Sequence, residues 1–170
     1  MGLMSFIKEA GQKLFGHTDP TAAAEAAAAQ PDAAEMMAKS VEANKVAADG
    51  ITTYIGQQNL TADGLQLEFD GLTRTVTVMG QAADQATKEK ILLCCGNVQG
   101  VAQVNDMMTV AEPADESQYH VVERGDTLSA IAKTYYGNAG QYPKIFEANR
   151  PMLSHPDKIY PGQMLRIPAL

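Results

Sequence analysis

Tryptophan is absent from the 170-residue sequence and aromatic residues make up only 6% of it, so any core must be aliphatic and modest. Basic residues are also scarce. Thirteen Lys and Arg against 20 Asp and Glu leave a formal net charge of -7, which argues against the basic face a polyanion needs; nucleic acid is not an expected ligand. The two cysteines, Cys94 and Cys95, are neighbours. Adjacent residues close only a strained disulfide, so buried thiols are expected instead. No apolar stretch is long enough for a transmembrane segment. The opening MGLMSFIKEAG reaches Lys8 before the apolar core of a secretory signal develops, so the expected location is cytoplasmic.

Catalytic constellations are missing too. His17, His120 and His155 lack the spacing of zinc ligands. Ser129 falls inside a helical pattern, and thiols near a helix C-terminus face the negative end of its dipole, which does not activate them. Asp115 and Glu116 read as solvated carboxylates of a linker. No enzymatic activity is expected.

What is present is periodic. Leu3, Ile7, Ala10 and Leu14 recur at helical spacing, predicting an N-terminal amphipathic helix over 1–16 that docks on the next domain. Residues 17–31, with the run DPTAAAEAAAAQ, read as an alanine-rich spacer. Asp32 and Glu35 resemble a capping box, after which Met37, Val41, Ala48, Ile51 and Ile55 suit one helical face. Beyond Asn59 the period falls to two. Leu65, Leu67 and Phe69, the turn Asp70-Gly71, and Thr75 to Val78 predict a β-hairpin ended by Gly80. A helix follows over Ala82 to Cys95, with Lys88, Glu89 and Lys90 toward solvent, Ile91, Leu92 and Cys95 inward, and Gly96 as its stop. Val101 to Val110 suits a further strand.

This order of helix, strand, strand, helix, strand, with Gly-Asn-Val-Gln-Gly before the last strand, resembles the BON domain over 32–111. A polar linker, 112–117, leads to a sharper signature. Tyr119-His120-Val121-Val122, Gly125-Asp126-Thr127-Leu128-Ser129, Tyr136-Gly137-Asn138, Ala148-Asn149 and Ile159-Tyr160-Pro161-Gly162-Gln163 strongly resemble a LysM domain over 118–170. The fold class expected is therefore α+β: two small domains, BON (αββαβ) followed by LysM (βααβ), with an N-terminal helix. LysM resemblance implies a shallow groove for N-acetylglucosamine polymers such as peptidoglycan, bordered by Gly125, Asp126, Thr127, Leu128, Asn149, Ile159 and Tyr160. Each of these residues also has a role in the fold, so the sugar, in an envelope protein, is an alternative ligand rather than the first one, beside the further alternative of an intracellular scaffold whose LysM domain packs on or binds another protein.

The whole chain, apart from the alanine-rich spacer, resembles a family of bacterial potassium-binding proteins that join a BON domain to a single LysM domain. That resemblance implies K+ (with Rb+ or Cs+ as substitutes) held by backbone carbonyls of Ile7, Ala10, Gly96, Val98, Val101 and Val104. It also implies a sensor or buffer in which ion binding compacts the protein. The residues suit the implication: Gly96 to Val104 contains no Asp or Glu, follows a helix C-terminus with free carbonyls, and has two glycines to bend the backbone. Calcium would call for several carboxylates.

Overall fold

The computed structural model describes residues 2–5 and 34–170, with backbone alone at 2–5 and 34–36. Most of the expected N-terminal helix, including Ile7 and Ala10, and the spacer and Asp32 lie outside the described residues.

The first domain is built on helix α1, Ala34–Gln57. Ala43, Ala47, Ala48, Ile51, Tyr54 and Ile55 are its buried stripe. Two residues expected on that stripe are not there: Met37 is 57% and Val41 69% exposed. At roughly 100° per residue, Val41 lies about 80° round the helix from Ile51. Met37 is nearly in line but precedes the first buried position, on turns that reach past the body of the domain. Asn59 closes the helix with a positive φ of 56°, while Leu60 N–H donates to the Ile55 carbonyl at 3.3 Å.

Strands β2, Asp63–Asp70, and β3, Thr75–Asp84, form the expected hairpin. Its turn is tied by Asp70, whose carboxylate accepts from Leu72 N–H at 2.9 Å and Thr73 Oγ1 at 2.8 Å. Gly80 does not end the hairpin as expected, because β3 runs through it to Asp84. Its φ is +133°, and a Cβ there would sit 3.0 Å from the Asp63 carbonyl. Glycine thus marks a close approach beside the register shift between Asp63 and Gln66, within a continuing strand.

Helix α2, Gln85–Gly96, is capped by Asp84, which accepts from Thr87 N–H. It crosses to β4, Gln103–Glu112, which lies parallel to β3. The other edge of β4 is covered by β1, Gly2–Ser5, running antiparallel, so the sheet order is β1-β4-β3-β2. At residues 2–5 the expected helix is therefore a strand. An exposed β4 edge offers a row of backbone partners, and that pairing outweighs a helical pattern that begins with glycine.

The second domain comprises β5, Gln118–Val121, helices α3, Leu128–Tyr136, and α4, Tyr142–Ala148, and β6, Met164–Ile167. Thr127 caps α3, its hydroxyl accepting from Ala130 N–H at 3.1 Å. Pro161-Gly162 makes a turn with Gly162 at φ 87° and Gln163 N–H donating to the Tyr160 carbonyl at 3.1 Å. Strand alternation decides what β6 touches. Leu165 and Ile167 enter the second domain's core, while Met164 belongs to the first domain's. Tyr119 and Val121 of β5 pack against that same first core. Helix α2 thus lies between its own sheet and the partner domain, and residues 91–96 are all buried.

Candidate functional site

Four of the six expected ion ligands fall where α2 passes into β4: Gly96 ends the helix, Val98 and Val101 lie in the connection, and Val104 is the second residue of the strand. Val98, Val101 and Val104 are fully or almost fully buried, so their apolar side chains anchor this stretch of chain. Helix α2 ends with Asn97 N–H donating to the Leu93 carbonyl at 3.0 Å and Val98 N–H to that of Cys95 at 3.3 Å. The Val98 carbonyl accepts from Val101 N–H at 3.2 Å. Among the described residues the carbonyls of Gly96 and Val101 accept no backbone N–H within this loop. Gly100, at φ 97°, bends the chain, and the hairpin's Arg74 carbonyl receives Ala102 N–H at 2.8 Å. Val104 is different: it lies inside β4, opposite Met4 and Val76. Strand β1 ends with Ser5 opposite Gln103, at the border of the loop. Among the described residues no group of three His, Cys, Asp or Glu could hold a metal ion.

Two side chains, Glu89 and Asn97, join this region to the second domain. Glu89, expected toward solvent, is only 2% exposed. Its Oε2 accepts from Arg166 Nε, and its Oε1 accepts from Gln85 Nε2 and Ser117 N–H, each at 2.9 Å. Burial alone would push this carboxyl up; the bonds from Gln85, Arg166 and Ser117 outweigh it and hold the group below its ordinary range. Lys88 is not free in solvent either, since it pairs with Asp106 at 2.8 Å. Asn97 is the second link to the other domain, and its side chain reaches β6: Nδ2 donates to the Met164 carbonyl and Oδ1 accepts from Met164 N–H, both at 3.0 Å. One signal was available for Glu89. It stands three and four residues before Leu92 and Leu93, hence on the face they share.

The residues expected to border a sugar groove are occupied with the fold. Asn149 is buried, donating to the Ile145 carbonyl at 2.7 Å and the Arg166 carbonyl at 2.8 Å, and accepting Arg166 N–H at 2.8 Å. Asp126 accepts from Glu123 N–H at 2.9 Å and faces His120 Nε2 at 2.8 Å. Thr127 caps α3, Leu128 is buried, and Ile159 packs on the second core. Gly125 has φ 95°. Tyr160 lies near Tyr54 of α1, whose hydroxyl burial pushes up to about 12. Cys94 and Cys95 are free and buried; burial pushes Cys94 up to about 12 and Cys95 well above its ordinary value.

The LysM domain family matches residues 120–168 and the BON domain family residues 46–112. Over 169 residues, 99% of both chains, the sequence is 46% identical to the potassium binding protein Kbp of Escherichia coli O6:H1. It is also 39% identical over 76 residues to an uncharacterized protein of Deinococcus radiodurans, covering 43% of this chain and 29% of that one.

Proposed function

Because the chain belongs to the family of the potassium binding protein Kbp, we propose that it binds potassium through backbone carbonyls and serves in the cytoplasm as a K+ sensor or buffer. Identity along the full length of both chains carries this reading. The ligands proposed are the carbonyl oxygens of Gly96, Val98, Val101 and Val104, with those of Ile7 and Ala10. Ile7 is two residues beyond Ser5, whose place opposite Gln103 favours its taking part.

The chemistry fits a monovalent ion. Potassium is large and weakly hydrated, and neutral carbonyls can replace its water without adding charge. A helix C-terminus contributes negative partial charge. Protein sites for magnesium and calcium are built around carboxylate ligands, which this loop lacks. Rubidium and caesium are the expected substitutes. Occupancy stabilises the arrangement that binds best and so compacts the protein. Isothermal titration should show saturable heat with KCl and none with NaCl at equal ionic strength; identical traces for the two salts would end this reading.

The LysM match supports a second reading, binding of N-acetylglucosamine polymers at the groove bordered by Gly125 and Tyr160. Retention on chitin or peptidoglycan, released by soluble oligomers, is its test.

A further inference from the structure

The side chain of Asn97 leaves the ion loop altogether. It closes a two-bond ring on the backbone of Met164, 67 residues away, with both bonds at 3.0 Å. Its own N–H meanwhile remains tied to the Leu93 carbonyl at the end of α2. One residue is therefore fixed at its backbone by the first domain and at its side chain by the second. Its two peptide neighbours are Gly96 and Val98, whose carbonyls are proposed ligands. A site made of carbonyls has no long side chains to absorb a displacement, so rotation at Asn97 turns the ligand oxygens directly.

Resting on the potassium reading, we propose that Asn97 is a positioning residue coupling the ion loop to the second domain, so that potassium occupancy and the Asn97–Met164 bonds strengthen each other. The coupling is reciprocal by linkage: whatever LysM docking contributes to ion affinity, the ion returns to docking. A second attachment makes the effect separable. Glu89 and Arg166 hold the domains together two residues further along β6, so loss of the Asn97 amide leaves the domains joined while freeing the loop.

The test uses the full chain. Asn97→Ala is expected to bind potassium about tenfold more weakly, within the usual range of such couplings, with an unchanged far-ultraviolet spectrum. In the unaltered protein, hydrogen exchange at the Met164 amide is expected to slow in KCl relative to NaCl, which a merely structural bond would not show. Equal affinity in the two proteins, or Met164 exchange indifferent to the salt while calorimetry shows potassium binding, overturns the coupling and leaves the potassium reading standing. Failure of the unaltered protein to bind potassium removes both. Should Asn97→Ala not fold, exchange at Met164 in the unaltered protein decides alone.

Discussion

The carboxylate of Glu89 in α2 and the guanidinium of Arg166 in β6 form an ion pair between the two domains, 77 residues apart in sequence, with 2% and 10% of their side chains exposed. Both charges are largely removed from solvent. The remaining carboxylate oxygen is filled by Gln85 and by the backbone of Ser117, just ahead of β5.

Removing one partner strands the other. Glu89→Leu or Arg166→Met alone should lower the free energy of unfolding by about 3–5 kcal/mol, whereas the double substitution should recover most of that loss. Urea denaturation of the three variants checks this; equal losses in the single and double variants would show that packing, rather than the stranded charge, dominates.

Stability should also fall in acid. The Glu89 carboxyl is held below its ordinary 4.5, so its contribution is fully present above that value and is lost as pH drops through the lower folded-state value. Melting temperature measured from pH 6 down to about pH 3 should decline more steeply in the unaltered protein than in Glu89→Gln, which has no proton to gain there.

One substitution type should act with opposite signs at two glycines. At Gly80, φ is +133° and backbone atoms lie 3.0 to 3.2 Å from the new Cβ, so Gly80→Ala should destabilise by roughly 1–3 kcal/mol. Gly56 is in α1 with nothing within 4 Å, and Gly56→Ala should stabilise by about 0.4–1 kcal/mol. Chemical denaturation measures both.

The thiols should be inert while the chain is folded. Burial pushes Cys94 up to about 12 and Cys95 well above its ordinary value, leaving little thiolate for an alkylating reagent. Labelling with iodoacetamide at pH 8 should be slow in buffer and fast for both residues in urea.

Much of this was legible beforehand because local rules sufficed. The alternation of Leu65, Leu67 and Phe69 is half-buried strand chemistry, and Asp70-Gly71 announces the hairpin turn. The misreadings share a cause. Glu89 looked like surface because its neighbours are lysines, and only the arrival of Arg166 from another domain makes its burial tolerable. Gly2–Ser5 follows the needs of β4, an edge encoded a hundred residues later. Gly80 looked like a terminator but answers to Asp63 across the hairpin. The proposed ion loop is the extreme case, since carbonyl ligands would leave no side-chain signature and only the whole-chain resemblance pointed to them.

The most direct test of that loop is diffraction from crystals grown in rubidium chloride, recorded at the rubidium edge. The account predicts one strong anomalous peak in contact with the carbonyl oxygens of Gly96, Val98 and Val101. No peak there, or rubidium found only beside surface carboxylates, would contradict it.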